Sequence, residues 1–191
     1  MTDMGGSTIR VAGLVGSLRE ASYNRGLLRA AMEVQPDGME IVDVDLRGLP
    51  MYDEDLETAG DPPEVTAFKA AVGGADALLF VTPEYNYSIP GVLKNAIDWG
   101  SRPSGMVPMM RKPVAVMGCS TGPVGTRRAQ LHLRSIFTAL DLWDVKKPEI
   151  TLAKASGLFD ESGALTDEGT REQVRALLVG LGEWTRRLRS D

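Results

Sequence analysis

Residues 77–103 read ALLFVTPEYNYSIPGVLKNAIDWGSRP, and this stretch decides which fold class the rest of the chain must fit. Its first residues form an unbroken apolar run, which is typical of a strand buried on both faces of a sheet. Residues 91–99 repeat apolar side chains at helical spacing. Between the two segments, Pro83 and Pro90 enclose a loop that holds a carboxylate, two tyrosines and an asparagine. The stretch therefore predicts a strand, a constrained loop and a helix that returns across the sheet.

The same alternation of strand and helix continues on both sides of this stretch. Apolar runs predict further strands at residues 9–15, 39–46, 113–118 and 149–152. Helical spacing and capping signals predict helices at residues 24–34, 62–72, 91–99, 125–140 and 166–188. Buried strands that alternate with helices form a parallel sheet covered on both faces. We therefore predict a single α/β domain over residues 1–191.

Composition and charge limit the functions open to the chain. Its 191 residues are 43% hydrophobic and 25% charged, which suits one globular domain. The net charge of −5 opposes a general affinity for nucleic acid or anionic membranes. No apolar stretch is long enough to cross a bilayer, and the N-terminal MTDMGGSTIR lacks the apolar segment of a signal peptide, so we expect a cytoplasmic protein. Because Cys119 is the single cysteine, no intrachain disulfide or cysteine-only metal site can form, and we predict no metal site.

Three unusual loops follow predicted strands. They are GSLREASYN (loop 1, residues 16–24), PEYNYSIPG (loop 2, residues 83–91) and CSTGPVG (loop 3, residues 119–125). The carboxyl ends of parallel strands share one edge of a sheet, and ligands bind there at the switch in strand order. We therefore expect the three loops to form one site.

Loop 1 has the donors that a phosphate monoester needs. It joins a strand to a helix N-terminus, where free backbone N–H groups and the helix dipole favour an anion. Ser17, Ser22 and Asn24 add polar donors, and Arg19 adds a positive charge. The alternative is that Ser22 or Asn24 serves only as a helix cap. The loop lacks the lysine of a P-loop and the glycine spacing of a dinucleotide fingerprint, so a mononucleotide is the better prediction.

Loop 2 has the residues that a flat heteroaromatic ring needs. Tyr85, Tyr87 and the Pro83 ring offer apolar surface, while Asn86 and backbone groups offer polar contacts at the rim. In the alternative interpretation, Tyr87 lies in a protein interface and Glu84 is a solvated acid.

Loop 3 offers backbone amides and the hydroxyls of Ser120 and Thr121 with little side-chain bulk, and Gly122 permits a close approach of the main chain. A flexible turn before a helix is the alternative. We interpret Cys119 as a packing residue at a strand end, and His132 as a residue of a helix surface or an interface.

With these loops, the chain resembles the NADPH-dependent FMN reductase family, a flavodoxin-like group that includes bacterial quinone, chromate and azo-dye reductases. Loop 1 is similar to the family's G-S-x-R-x-x-S-x-N phosphate motif, and residues 82–99 (TPEYNYSIPGVLKNAIDW) are similar to its flavin-ring motif. Residues 120–140 resemble its third loop and following helix, although Gly-Pro-Val-Gly replaces a glycine pair. The resemblance spans about residues 8–152. It implies a three-layer fold whose five-stranded parallel sheet has the order 2-1-3-4-5, with helices on both faces.

The resemblance also implies that FMN contacts all three loops. Its phosphate would lie on Ser17, Arg19, Ser22 and Asn24, and its ring along loop 2, with loop 3 nearby. The cofactor-binding residues implied in this way are Ser17, Leu18, Arg19, Ser22, Tyr23, Asn24, Pro83, Glu84, Tyr85, Asn86, Tyr87, Ser120, Thr121 and Gly122.

The implied activity is that of an FMN-dependent NAD(P)H oxidoreductase. A hydride would pass from NADPH or NADH to bound FMN, and then to a quinone, an azo dye, a metal oxyanion or a similar small acceptor. Because the cofactor carries the chemistry, we nominate no catalytic side chain. A flavodoxin-type electron carrier that does not turn over a nicotinamide is the alternative, and a binding or regulatory protein that has lost its flavin is a third possibility. The family resemblance also implies a homodimer or homotetramer, with Tyr87, Trp99 and the Arg127–Arg128 pair near the subunit boundary.

Overall fold

The computed structural model describes residues 7–103 and 107–189, so residues 1–6, 104–106 and 190–191 of the predicted domain lie outside the described residues. The strands are β1 (Ile9–Val15), β2 (Met39–Asp43), β3 (Ala77–Val81), β4 (Pro113–Cys119), β5 (Trp143–Asp144) and β6 (Ile150–Leu152). The α-helices are α1 (Tyr23–Val34), α2 (Glu54–Ala59), α3 (Pro63–Gly73), α4 (Gly91–Gly100), α5 (Arg127–Ala139) and α6 (Glu168–Arg189), and one turn of 3₁₀-helix covers Ala155–Gly157.

The sheet is parallel throughout, and its order is β2-β1-β3-β4-β5. This confirms the predicted flavodoxin-like order, with one difference at the fifth position. There, β5 pairs with the beginning of β4 at Pro113 and Val114, whereas β6 pairs with its end at residues 117–119. Two short strands therefore share the position that the sequence assigned to one strand.

Two hydrophobic cores lie on opposite faces of the sheet. One core joins α1 and α6 to the sheet through residues such as Leu27, Leu177 and Val11. The other joins α3, α4 and α5 to the sheet through residues such as Phe80 and Phe137, whose rings pack 5.1 Å apart. Both faces are covered, which explains why β3 and β4 read as unbroken apolar runs. In the part of the chain that the structure describes, no helix is long and apolar enough to cross a membrane.

The structure corrects several predicted element boundaries. The acidic loop after β2 contains α2, whose N-cap Asp53 accepts a hydrogen bond from the backbone N–H of Asp55. The predicted strand over residues 39–46 ends at Asp43. The helix predicted from residue 125 begins at Arg127, because Gly125 has a φ of +70° that a helix cannot contain. The last helix begins after Asp167, whose carboxylate accepts from the Thr170 N–H at 2.8 Å.

Candidate cofactor site

The register of the sheet brings the three loops to the same edge. Val15 of β1 lies opposite Val81 of β3, and Val81 lies opposite Met117 of β4, so the three strands end at nearly the same level. The Gly16 N–H donates to the Val81 carbonyl at 2.9 Å, which ties the start of loop 1 to the end of β3. Loops 1, 2 and 3 therefore leave the sheet side by side, as the sequence predicted.

Loops 1 and 2 are in direct contact at Gly16. A Cβ atom placed on Gly16 would lie 3.3 Å from side-chain atoms of Pro83, Pro90 and Leu93. A side chain at this position would therefore press on the two prolines that bracket loop 2. The glycine allows the two loops to approach each other closely.

A cleft of about 160 Å³ lies between the loops and is lined by residues of all three. Asn86 and Tyr87 line a second cleft together with Glu84, which is a wall of both. Two predicted residues lie outside both clefts: Leu18, whose side chain is exposed, and Gly122. The predicted residues that line the first cleft are Ser17, Arg19, Ser22, Tyr23, Asn24, Pro83, Glu84, Tyr85, Ser120 and Thr121, and Cys119 joins them.

The backbone of loop 1 has unused hydrogen-bond donors beside this cleft. Among the residues that the structure describes, no acceptor takes a hydrogen bond from any backbone N–H between Ser17 and Arg25. The next backbone N–H along the chain, that of Gly26, is the first that is paired, and it donates to the Ser22 carbonyl. Ser22 occupies the N-cap position of α1, but its hydroxyl makes no capping hydrogen bond. The first turn of α1 holds no acidic residue, so its positive end is not neutralised locally.

The side chains of loop 1 match this arrangement. Ser17 and Ser22 are buried as residues, yet neither hydroxyl has a partner among the described residues. No fully buried side-chain oxygen or nitrogen in the described ranges is unpaired, so both hydroxyl oxygens are open to solvent, and both residues line the cleft. Arg19 lines the cleft and forms no ion pair with a described residue. Hydroxyls, free amides, a helix N-terminus and an arginine together fit a phosphate monoester.

Asn24 has a structural role that the sequence did not predict. Its Nδ2 donates to the Cys119 carbonyl at 2.9 Å, and its Oδ1 accepts from the Cys119 N–H at 3.0 Å. Because β3 ends at Val81, opposite Met117, no strand reaches the backbone of Cys119 on that side. The buried Asn24 amide takes the place of the missing strand and fastens α1 to the end of β4. One Nδ2 hydrogen remains for another partner.

The environment of Cys119 agrees with a packing role. Burial raises the pKa of its thiol to about 12, so the thiolate that a nucleophile or redox cysteine needs does not form near neutral pH.

Loop 2 is a tight β-hairpin. The Tyr85 N–H donates to the Ser88 carbonyl at 3.0 Å, and the Ser88 N–H donates back to the Tyr85 carbonyl at 2.9 Å. Asn86 and Tyr87 between them have φ values of +50° and +65°, the pattern of a two-residue type I′ turn. The hairpin leaves Tyr85 48% exposed and Tyr87 66% exposed. The tip is therefore ordered by backbone hydrogen bonds, in addition to the prolines on either side.

Glu84 is not the solvated acid of the alternative interpretation. Its side chain is 8% exposed, and its Oε2 accepts from the backbone N–H groups of Arg128 at 2.9 Å and Ala129 at 3.2 Å. The carboxylate therefore caps the N-terminus of α5 from loop 2. Its Oε1 accepts from Nη1 of Arg128 at 3.1 Å.

Loop 3 is fastened to the segment after β6. The Ser120 N–H donates to the Leu152 carbonyl at 2.9 Å, and the Gly122 carbonyl accepts from the Lys154 N–H at 3.0 Å. The Gly122 N–H donates to Oγ of Ser120 at 3.1 Å, so the amide that the sequence offered to a ligand is already paired. From loop 3, Ser120 and Thr121 line the cleft together with Cys119.

Comparison with known proteins identifies the family. The sequence profile described as NADPH-dependent FMN reductase matches residues 9–157. The chain belongs to the NADPH-dependent FMN reductase family. An NAD(P)H-dependent FMN reductase of Pseudomonas aeruginosa is 48% identical over 181 residues, which cover 95% of this chain and 97% of that protein. An NAD(P)H:quinone oxidoreductase of Solanum tuberosum is 50% identical over 179 residues, which cover 91% of each chain.

A solved structure supports the same assignment. The flavoenzyme FerB, an NAD(P)H:(acceptor) oxidoreductase from Paracoccus denitrificans, superposes with a TM-score of 0.86 at 33% sequence identity. The match covers 94% of this chain and 98% of FerB. The family resemblance stated from the three loops is thereby confirmed, and so is the flavodoxin-like fold.

Sequence reasoning about this FMN reductase family member missed the role of Arg128. The guanidinium carbon of Arg128 lies 4.0 Å from the centre of the Tyr87 ring, while the same side chain pairs with Glu84. Arg128 and Glu84 are 44 positions apart in sequence. The available signals were an acidic residue in loop 2 and a helix that has no acid in its first turn. Neither signal shows that this acidic residue caps this helix.

The structure also shows the surroundings of two other residues singled out in the sequence. His132 lies exposed on α5 as expected, and its Nδ1 is 2.9 Å from Oγ of Ser88 in loop 2. The Trp99 side chain itself is not available to a partner, while the predicted subunit boundary near it stays a prediction. Trp99 is fully buried, and its indole N–H donates to the Pro50 carbonyl at 2.8 Å.

Proposed function

We propose that this chain binds FMN and uses it to pass reducing equivalents from NADPH or NADH to a quinone or a similar small acceptor. One observation carries the proposal: in a member of the FMN reductase family, a loop with unpaired donors shares one cleft with Pro83 and Tyr85 of an exposed aromatic hairpin. The donors suit the phosphate end of FMN, and the hairpin suits its planar end.

Loop 1 holds the phosphate in this proposal. The hydroxyls of Ser17 and Ser22 and the free N–H groups that lead into α1 donate to its oxygens, and Arg19 supplies a compensating charge. Charge-assisted hydrogen bonds contribute about 1.5–3 kcal/mol each when they are well aligned. Leu18, whose side chain is exposed, contributes its backbone N–H to the same set.

Loop 2 holds the ring. Tyr85 and Pro83 form a wall of the phosphate cleft, and Asn86 and Tyr87 form the neighbouring cleft across Glu84. An extended ligand that places its phosphate in the first cleft can place its ring along the hairpin. Tyr87 presents one ring face and an edge, because Arg128 covers its other face.

The side chains at the site bind and orient rather than transfer protons. Bound FMN supplies the hydride-transfer and electron-transfer chemistry. The carboxylate of Glu84 is committed to the N-terminus of α5, and the thiol of Cys119 stays protonated because burial raises its pKa to about 12. We therefore assign no general acid or base to this chain.

The proposal also covers the electron acceptors, the domain organisation, the oligomeric state and the cellular location. The quinone acceptor is supported by relatives named as quinone reductases, including a 2-hydroxy-1,4-benzoquinone reductase of a Burkholderia species that is 41% identical over 179 residues. Azo dyes and metal oxyanions are proposed as further acceptors on the resemblance alone. We also propose that the whole chain, residues 1–191, works as one FMN-binding domain in a cytoplasmic homodimer or homotetramer.

A visible absorption spectrum, recorded without oxygen before and after addition of NADPH, tests the function. We expect the FMN-loaded protein to be yellow and to bleach when NADPH is added, and then to recover its colour when a quinone follows. Persistence of the oxidised spectrum with both NADPH and NADH would instead identify an electron carrier. A purified protein that is colourless and does not take up added FMN would refute flavin binding altogether.

A further inference from the structure

The hairpin of loop 2 is held in place by one face of α5. Three contacts reach it from that helix: Glu84 caps the backbone of Arg128 and Ala129, Arg128 covers the ring of Tyr87, and His132 meets the hydroxyl of Ser88. Residues 128 and 132 are one helical turn apart and share a face. The contacts therefore secure the base, the tip and the return strand of the hairpin from a single surface.

The first contact exists because α5 has no local cap. A helix leaves its first N–H groups unsatisfied, and a side chain at the N-cap usually accepts from one of them. Here Thr126 occupies the N-cap, but its hydroxyl accepts from Nε2 of Gln130 at 3.0 Å and makes no capping bond. The first turn of α5 contains no acidic residue. Glu84 thus supplies both the missing acceptor and the negative charge that the helix N-terminus favours.

Arg128 connects this cap to the tip of the hairpin. Its Nη1 donates to the nearly buried carboxylate of Glu84, and its guanidinium carbon lies over the ring of Tyr87. Asparagine tolerates the positive φ of Asn86, but the φ of +65° at Tyr87 is unfavourable for a bulky residue, so the tip needs contacts that offset the strain. A planar cation over an aromatic ring provides such a contact.

We propose that Arg128 is a positioning residue for the ring side of the site: paired with Glu84, it holds Tyr87 and the hairpin in the conformation that receives the flavin ring. This inference rests on the proposed function. A hairpin that is ordered before the ligand arrives does not lose conformational freedom on binding, so its order raises affinity. Arg128 acts on the ring through Tyr87 and has no part in holding the phosphate.

A comparison of FMN with riboflavin, which lacks the phosphate, separates these two roles. We would titrate the flavin-free protein with each flavin and follow the quenching of flavin fluorescence. Arg128→Ala should weaken the binding of FMN and riboflavin by the same factor, about fivefold, because a cation–π contact of this kind contributes modestly. Arg19→Ala should weaken the binding of FMN alone. Arg128→Lys should not restore affinity, since an ammonium group lacks the planar fork that spans Glu84 and Tyr87.

A second measurement does not need the flavin. Hydrogen exchange at the amides of Tyr85 and Ser88, which pair across the hairpin, should be faster in Arg128→Ala than in the wild type. Arg111→Ala is the matched control. Arg111 pairs with Asp141 at 3.3 Å and lies two residues before β4 begins, at the edge of the sheet opposite to the three loops. This control should leave both flavin affinities and the hairpin exchange unchanged.

The outcomes are distinguishable. If Arg128→Ala weakens FMN but not riboflavin, Arg128 serves the phosphate and the inference is wrong. Unchanged affinities together with unchanged exchange at the hairpin would also overturn it. Full rescue by Arg128→Lys would overturn it as well, because a positive charge alone would then be sufficient and the contact of the guanidinium with Tyr87 would not matter. A wild-type protein that binds neither flavin would overturn both this inference and the proposed function, whereas normal wild-type binding with an unaffected Arg128→Ala overturns the inference alone.

Discussion

Replacement of Asn24 with Ala would remove the clamp between α1 and β4. It deletes two hydrogen bonds, of 2.9 and 3.0 Å, and leaves the backbone N–H and carbonyl of Cys119 without partners. Cys119 is 1% exposed, so water cannot readily replace the lost amide. Each orphaned buried group costs about 1–3 kcal/mol, so the free energy of unfolding should fall by roughly 2–6 kcal/mol. That is a large part of the 5–15 kcal/mol that is typical of folded domains.

Urea unfolding of the flavin-free protein, followed by circular dichroism, measures this loss. With a slope of about 1–3 kcal/mol per molar urea, a loss of about 3 kcal/mol lowers the midpoint by roughly 1 M or more. Ser22→Ala is the matched control from the same loop. Ser22 sits at the N-cap but makes no capping hydrogen bond, so its loss should change the stability little while it weakens FMN binding.

The two interpretations of Asn24 give opposite results. If Asn24 is chiefly a phosphate ligand, Asn24→Ala should weaken FMN binding and leave the urea midpoint of the flavin-free protein near that of the wild type. An unchanged midpoint would therefore refute the clamp.

Three further predictions follow from the same structure. Arg19→Ala should weaken FMN binding about tenfold or more, as the loss of a charge-assisted bond implies, and an isothermal titration that shows unchanged affinity would contradict the phosphate assignment. Gly125→Ala should lower the free energy of unfolding by about 2 kcal/mol or more in urea titrations, because the new Cβ would lie 2.3 Å from the Thr151 carbonyl oxygen at a φ of +70°. Between pH 9.0 and about 12 the folded protein keeps the proton of Cys119 while the unfolded chain loses it, so stability should fall as pH rises through this window. Cys119→Ala should remove that part of the pH dependence. If the slope of unfolding free energy against pH is the same in Cys119→Ala and the wild type, the raised pKa of Cys119 is not its cause.

The sequence was most informative where its signal is local or periodic. Unbroken apolar runs at β3 and β4 identified strands buried on both faces, and helical spacing located α4 between its neighbours. From these, the parallel sheet and the edge that carries the loops could be predicted, because strand direction and crossover handedness leave few alternatives. The polar composition of loop 1 likewise indicated an anion site before any contact was known.

Short or irregular elements were harder to predict from the sequence. The pairing of Trp143–Asp144 with β4 involves only two residues, too few for a periodic pattern. The helix α2 lies in an acidic stretch without buried residues, so it has no apolar face to reveal it. The start of α5 depends on a positive φ at Gly125, which composition alone does not specify.

By itself, the sequence determined the fold class, the sheet edge that carries the site and the chemistry of its donors, since these depend on residue type and spacing along the chain. Only the tertiary structure decided which polar groups are still free. Asn24 is largely used by Cys119, and Glu84 is used by α5, although both read as ligand contacts in loops 1 and 2. A hydrogen bond joins specific atoms across the fold, and residues 95 positions apart meet only once the sheet register has set the ends of its strands side by side.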